Sequence, residues 1–196
     1  MEFRLTYEGK LASATSATAD HKHEIRRVFH RQLRTFWNFH PFFKDDKAWD
    51  YTPPRTQVTH TSRKNQLGEI FTRCGYKFVP VASLDLAVHC SLDILFLRPD
   101  APGLFKSGDI DNRLKTLFDA LKMPKSTQDL GHYLTPQEDE DLFFVLLEDD
   151  GMITRLSVET DMLLQPTSDQ AGQQDARIVI SVNLAPYRSI LGNIGI

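Results

Sequence analysis

The stretch GDIDNRLKTLFDAL, from Gly108 to Leu121, decides how this chain is interpreted. Apolar side chains recur along it at the i, i+3, i+4 and i+7 spacing of a single helical face. They are Leu114, Leu117, Phe118 and Leu121. Asp111 fits the N-cap position, where a carboxylate accepts hydrogen bonds from unpaired backbone N–H groups. The stretch therefore predicts a loop or strand end, then a buried helix from Asp111 onward.

Two aspartates stand at the predicted start of this helix. Asp109 and Asp111 are two residues apart, so their side chains point the same way in an extended segment but about 200° apart on a helix. They can share a ligand only before the helix begins. Lys115 follows Asp111 by four residues, which places its ammonium group on the same side of the first turn. The carboxylates and the lysine should face one small volume.

A second acidic group follows the apolar run LFFVLL, residues 142–147. That run has the length of a buried strand ending at a polar rim, where Asp149 and Asp150 would emerge. Mg²⁺ prefers oxygen ligands and is usually held by one or two carboxylates plus substrate phosphate. A metal there would lower the pKa of a bound water, and a lysine would stabilise the developing oxyanion. The pattern predicts phosphodiester hydrolysis.

The same residues also fit a structural interpretation. Asp109 and Asp111 could form a turn and a helix cap, and Lys115 and Asp119 could form a surface ion pair. Asp149, Asp150 and Gly151 could likewise form a turn. The residues alone leave both interpretations open.

The two acidic groups together resemble a known family. The sequence DIDN at 109–112, with Lys115, FDAL at 118–121 and the later pair Asp149 and Asp150, is similar to the RusA-type Holliday junction resolvases. Members of that family carry a D-[LI]-D-N-x-x-K-x-x-x-D-[AG]-L core followed by a D-D pair. The resemblance extends from the strand near His89 to the strand after Asp150.

The resemblance implies roles for individual residues. Asp109, Asp111 and Asp150 would be catalytic acids that hold the metal, with Asp149 as a further ligand, and Lys115 would be the essential basic residue. The metal would be Mg²⁺, with Mn²⁺ as the alternative. The implied activity is endonuclease cleavage of branched DNA in recombination and repair. The implied architecture is a RusA-like homodimer, since two cuts across a symmetric junction need two sites.

The chain departs from the compact members of the family in two segments. One covers about 20–75, and the other, Lys122 to Asp141, ends in the acidic run EDED at 138–141. At 196 residues the chain suits one core-bearing domain over 1–196. We therefore expect a single domain with these two segments inserted and a mobile loop at about 165–175. The second insert could be a lid or surface decoration.

Candidate DNA contacts lie in the first half of the chain, where residues 1–100 carry a charge balance of +4 against −7 for residues 101–196. A helix is expected from an Asp20 cap, with an apolar stripe from Ile25 to Phe36 and a basic opposite side. The predicted DNA contacts are Arg27, Arg31, Arg34, Arg63 and Lys64. Basic side chains of this kind bind backbone phosphates in a salt-dependent way, but a solvated helix face explains the helical ones equally well.

The remaining patterns predict strands. Alternation marks the N-terminal stretch, the region from Tyr76 to Leu97 as one long strand or two, and two segments at 156–164 and 178–184 that suggest an antiparallel hairpin. The predicted fold class is α+β, with helices packed on a mixed sheet. Cys74 and Cys90 lack the spacing of a zinc site or a disulfide framework. Without a signal-peptide or membrane-spanning pattern, we expect a cytoplasmic protein with no membrane partner.

The leading hypothesis is a metal-dependent endonuclease acting on branched DNA. One alternative keeps the fold without catalysis, as a DNA-binding or partner-binding module whose acids serve as caps. Another is a nuclease that prefers flaps or single strands.

Overall fold

The structure is a computed structural model that describes residues 1–44, 62–99, 110–165, 172, 174–190 and 193. Helices pack against two mixed β-sheets, which confirms the predicted α+β class. The described strands are β1 (Glu2–Lys10), β2 (Thr72–Arg73), β3 (Tyr76–Ala82), β4 (Val88–Arg98), β5 (Phe143–Leu147), β6 (Ile153–Met162) and β7 (Asp175–Pro186). The described helices are α1 (Ala19–Phe39), α2 (Pro41–Lys44), α3 (Arg63–Ile70) and α4 (Ile110–Leu121).

The larger sheet has the strand order β1-β7-β4-β6. β7 pairs antiparallel with both β1 and β4, while β4 pairs parallel with β6. Every second residue of β4 and β7 is buried, as expected for strands with one face on the core. Six of these buried residues are Leu92, Ile94 and Phe96 of β4 and Ile178, Ile180 and Val182 of β7.

The predicted hairpin is wrong. β6 and β7 both exist as strands, but β4 lies between them, and each pairs with a different edge of β4. Alternation identifies a strand and its buried face, yet it carries no information about which neighbour the strand pairs with. The parallel pairing of β4 with β6 needs a long crossover, and the segment from 99 to 152 provides it with α4 and β5.

The smaller sheet has the order β2-β3-β5, with β3 and β5 parallel. The alternating region from Tyr76 to Leu97 is therefore two strands in two different sheets. A turn over residues 83–87 separates them, and it ends at Ala87, whose φ of 51° is left-handed. All five residues of β5 are buried, which confirms the strand predicted from the LFFVLL run.

Helix α1 confirms the predicted amphipathic helix but begins with a different cap. The hydroxyl of Thr18 accepts a hydrogen bond from the backbone N–H of His21 at 3.2 Å. Asp20 instead binds the backbone N–H and the Nδ1 of His132, at 2.7 and 2.8 Å. Because the hydroxyl of Thr18 caps the start of the helix, the carboxylate of Asp20 is available to bind His132 of the second insert.

Helix α4 packs the predicted apolar stripe against the core. Leu117 and Leu121 are fully buried, and Leu114 and Phe118 pack at the margin of the core. The helix begins at Ile110, so Asp111 lies in its first turn and not at the cap. The buried side also includes Arg113, whose guanidinium donates to the carbonyls of Leu11 and Gln174 at 3.0 and 2.5 Å.

The insert from Lys122 to Asp141 is folded onto α1. It contains two 3₁₀ turns, Thr127–Leu130 and Glu138–Glu140, and Leu130 and Glu140 are buried. The predicted loop at 165–175 falls mainly outside the described residues. Within the described ranges, no helix has the length and apolar character needed to cross a membrane.

Candidate functional site

The first acidic group lies on the exposed side of α4. The Nζ of Lys115 donates to Asp111 Oδ2 at 2.7 Å and lies 3.3 Å from Asn112 Oδ1. About half or more of each side chain of the ion pair remains exposed. The prediction that Asp111 and Lys115 share one side of the first turn is confirmed. Asp109 lies outside the described residues, so its convergence with Asp111 stays a prediction.

The second acidic group directly follows strand β5. The strand end is fixed by two backbone hydrogen bonds, from Met123 to the carbonyl of Leu147 at 3.0 Å and from Glu148 to the carbonyl of Ala82 at 2.9 Å. Asp149 Oδ1 then accepts the backbone N–H of Gly151 at 3.1 Å and closes a short turn. Asp150 is exposed on that turn. Both predictions are confirmed, since the acids emerge at a strand end and also form a turn.

Lys122 connects the second acidic group to helix α4. Its Nζ lies 2.9 Å from Asp150 Oδ2 and 3.1 Å from Asp119 Oδ1. Burial lowers the pKa of Lys122, but the hydrogen bonds to Asp150 and Asp119 outweigh it and leave the pKa raised. Its bond is also the main reason that the pKa of Asp150 is lowered. Lys122 therefore stays charged between two carboxylates.

Asp119 is the shared partner of Lys22 and Lys122. The structural interpretation expected an ion pair between Asp119 and Lys115, and that pair is not formed. Lys22 of α1 donates to Asp119 Oδ2 at 2.7 Å, whereas Lys122 contacts the other carboxylate oxygen, Oδ1. Burial raises the pKa of Asp119, but the hydrogen bonds from Lys22 and Lys122 more than offset this and hold the pKa below its usual range. Lys22 and Lys122 thus join α1, α4 and the turn after β5.

The two acidic groups lie toward opposite ends of α4. Asp111 is in its first turn, whereas Asp150 shares Lys122 with Asp119 in its last turn. Eight residues of helix separate Asp111 from Asp119, a rise of about 12 Å along the axis. Among the residues that the structure describes, which leave out Asp109, no group of three acidic, histidine or cysteine side chains is placed to hold a metal ion.

The exposed carboxylates suit a hard cation by chemistry. Asp149 and Asp150 are adjacent on one turn, and Asp111 is half exposed, so each offers oxygen ligands at the surface. Mg²⁺ commonly keeps several waters and takes only one or two protein carboxylates. Each of these carboxylates is paired with a lysine, since Lys125 Nζ also lies 3.4 Å from Asp149 Oδ2. A cation would replace an ammonium group as the partner.

The predicted DNA contacts have different surroundings. Arg27 pairs with buried Glu140 at 2.6 Å and packs over the Tyr133 ring, and Arg34 lies 3.9 Å from Asp139. Arg63 pairs with Asp85 at 2.9 Å. Arg31 is exposed, and Lys64 is partly so. The insert supplies the partners of Arg27 and Arg34, and DNA contact by the five stays a prediction.

Helix α1 also contains buried polar residues, two of which, Arg26 and His30, belong to the side predicted to be basic and solvated. Arg26 is buried and donates to the carbonyls of Asp119 and Lys122 at 2.7 and 3.2 Å. His23 and His30 are buried too, and His30 Nδ1 receives the backbone N–H of Phe144 at 2.9 Å. Burial lowers the pKa of His23 to about 3 and that of His30 to about 4. Both imidazoles are therefore neutral at pH 7.

Sequence reasoning missed Lys22, Lys122 and Asp119 as members of one group. Asp119 carries a signal, because it belongs to the FDAL segment at 118–121. Lys22 is far away in sequence and becomes a neighbour only through the packing of α1 on α4. No family model matches the chain, and it has no match among curated proteins or solved structures.

Proposed function

We propose that this protein is a metal-dependent endonuclease of the RusA type that cleaves branched DNA, and that it acts as a homodimer with Mg²⁺ or Mn²⁺. The observation that carries the proposal is the exposed pair of Asp111 and Lys115 on α4, joined in sequence to the acids after β5. Lys115 Nζ lies 2.7 Å from the Asp111 carboxylate. The motif supplies the assignment, and the exposure of both side chains is compatible with a reaction at the surface.

The aspartates and the lysine would have separate roles in the reaction. The motif assigns Asp109, Asp111, Asp149 and Asp150 to the metal. Asp149 and Asp150 are adjacent on one turn, whereas Asp111 lies toward the other end of α4, so one ion held by both groups requires the two groups to approach each other. When bound, the metal supplies a water of lowered pKa and neutralises charge on the phosphate. Lys115 would leave Asp111 and donate to the phosphate oxygen that gains charge in the transition state.

The proposal is tested with a labelled synthetic four-way junction in Mg²⁺ or Mn²⁺, beside flap, single-stranded and linear duplex controls. We expect junction cleavage by the wild type and a loss of about 10²–10³-fold in rate for Lys115→Met, the size seen when one oxyanion donor is removed. Asp111→Asn and Asp150→Asn should be at least as damaging, since each removes a charged metal ligand.

The matched control is Lys77→Met. Lys77 forms an exposed ion pair with Glu69 at 2.7 Å, the same distance as the pair of Lys115 and Asp111. The Lys77→Met variant should cleave the junction at the wild-type rate. If folded wild-type protein cuts no substrate with either metal, the enzyme assignment is wrong. If the protein cleaves flaps or single strands in preference to junctions, the proposed substrate is wrong and the preferred structure takes its place.

A second candidate function is a DNA-binding or partner-binding module without catalysis. It is favoured by the observation that Asp111, Asp149 and Asp150 are each paired with a lysine and that Asp149 also forms a turn. In that case junction binding would persist without cleavage, and Asp111→Asn would not change it.

A further inference from the structure

A basic cavity lies between the start of α1 and the end of α4. Its lining includes Lys22, Arg26, Lys122 and Lys125, with Met123 and Pro124 as the loop between the last two. The cavity volume is about 120 Å³. Since roughly 10–15 Å³ of volume accessible to a water-sized sphere is needed for one water, this is space for several waters or for one tetrahedral phosphate group.

The lining carries more positive than negative charge. Four cationic side chains face two carboxylates, those of Asp119 and Asp129. Asp129 Oδ2 is engaged by the backbone N–H groups of Lys125 and Ser126 at 2.8 and 3.0 Å, which fixes the loop that carries Lys125. The lining therefore has two more cationic than anionic side chains, and the carboxylates of Asp150 and Asp149, which pair with Lys122 and Lys125, lie just outside it.

Arg26 contributes a charge that cannot move away. Its guanidinium is buried and held by the carbonyls of Asp119 and Lys122, and no carboxylate in the described part of the chain lies within ion-pair distance of it. Burial lowers its pKa only to about 10, so it is protonated at neutral pH. A cation that is already fixed in place needs little reorganisation when an anion arrives.

The cavity is continuous with the candidate site. Lys122, in its wall, binds Asp150 at 2.9 Å, and Lys125, at its mouth, lies 3.4 Å from Asp149. Lys125 keeps about two thirds of its side chain exposed, so it can turn between Asp149 and an incoming anion. An anion in the cavity would therefore lie next to the two acids that the proposed function assigns to the metal.

We propose that this cavity, formed by Lys22, Lys122, Lys125 and Arg26, binds a backbone phosphate of the nucleic acid that neighbours the scissile one. This inference rests on the proposed function and adds a substrate subsite to it. Successive phosphates of one strand occur about every 3.4 Å along the duplex axis, so a strand whose scissile phosphate reaches Asp150 brings another phosphate to the lysines. The ligand is a phosphodiester, and a free phosphate compound is the competing source of the same chemistry.

The test uses the full chain with EDTA present, so that no cleavage occurs. In one arm, binding of a fluorescent four-way junction is measured over a range of KCl concentrations. In the other arm, binding of inorganic pyrophosphate is measured by calorimetry. The variant is Lys125→Met, chosen because its exposed side chain can be replaced without unfolding, and the control is Lys77→Met.

We expect Lys125→Met to weaken junction binding about tenfold near physiological salt and to reduce the salt slope by about one, the loss of one phosphate contact. Lys77→Met should match the wild type. An unchanged slope in Lys125→Met, in a protein that still cleaves junctions, overturns the subsite and leaves the nuclease proposal intact. Pyrophosphate binding that depends on Lys125, with no junction binding or cleavage by the wild type, overturns both the nucleic-acid ligand and the proposed function.

Discussion

The cations on the inner side of α1 and those around the surface of α4 are chemically similar, yet their surroundings differ in kind. Arg26 is buried and bound to backbone carbonyls, and Arg27 pairs with buried Glu140. Lys115 and Lys125 are exposed and paired with aspartates on turns or first helical turns. Carbonyls of a packed backbone and a buried carboxylate such as that of Glu140 cannot exchange partners, whereas exposed carboxylates can. In the second group alone, the lysines can exchange their aspartates for a phosphate and so release those carboxylates to a metal.

The difference should also appear in stability. Removing one partner of a buried polar contact leaves an unsatisfied group and costs about 1–3 kcal/mol per group. Breaking an exposed ion pair costs about 0–1 kcal/mol. Charged residues alone therefore do not identify a functional site in this protein, but exposure together with the nature of the partner does separate structural cations from exchangeable ones.

The largest expected effect is the loss of stability in acid caused by the buried histidines. Burial lowers the folded pKa of His23 to about 3 and that of His30 to about 4 from the ordinary value of 6.5. Between pH 6.5 and 5 the unfolded chain therefore binds more protons than the folded one, and stability falls as the pH falls. Each histidine contributes up to about 1.4 kcal/mol per pH unit, so we expect a loss of about 3–4 kcal/mol by pH 5.

This dependence is measured by urea denaturation at several pH values. His23→Gln should remove about half of the slope between pH 6.5 and 5, whatever it does to the stability at pH 7. A slope that does not change in this variant would mean that His23 is not buried in its neutral form.

The second effect is the destabilisation caused by Arg26→Met. The substitution keeps much of the side-chain volume but leaves the carbonyls of Asp119 and Lys122 without their guanidinium donor. We expect a loss of about 2–3 kcal/mol in the free energy of unfolding, at the lower end of about 1–3 kcal/mol for each carbonyl because both hydrogen bonds are only part-buried. Chemical denaturation measures it, with Arg31→Met, an exposed arginine of the same helix, as the control. A loss below about 1 kcal/mol would show that Arg26 is not a structural cation.

The smallest effect on stability is expected for Lys115→Met. Its ion pair with Asp111 is exposed and spans i to i+4 on a helix, a geometry worth about 0.3–0.5 kcal/mol. The melting temperature should stay close to that of the wild type while cleavage is lost. A large fall in the melting temperature of Lys115→Met would show that Lys115 is a structural cation and not an exchangeable one.

The sequence predicted the elements that carry the candidate site. Strand β5, helix α4 and the shared side of Asp111 and Lys115 follow from local periodicity, which acts over a few residues. The neighbours of those elements could not be read in the same way. Lys22 meets Asp119 across 97 positions of sequence, and the partner strands of β4 are set by the crossover and not by alternation.

The basic side of α1 is another case in which local periodicity does not predict the neighbours of an element. A helix with one apolar stripe predicts a solvated opposite side, and for Arg31 this is confirmed. Arg26 and His30 are buried because α4, β5 and the insert at 122–141 cover them. A polar insert gives no sign of what it covers, since its contacts join residues far apart in sequence, such as Glu140 with Arg27 and His132 with Asp20.

The order of strands in the larger sheet has a consequence for the synthesis of the protein. β7 lies between β1 and β4, although both precede it by many residues in the chain. Until residues 175–186 have left the ribosome, β1 and β4 each present an open edge, and open edges invite pairing with other chains. Assembly of this sheet therefore waits for its last strand, and a nascent chain that stalls before residue 175 should depend on chaperones to remain unaggregated.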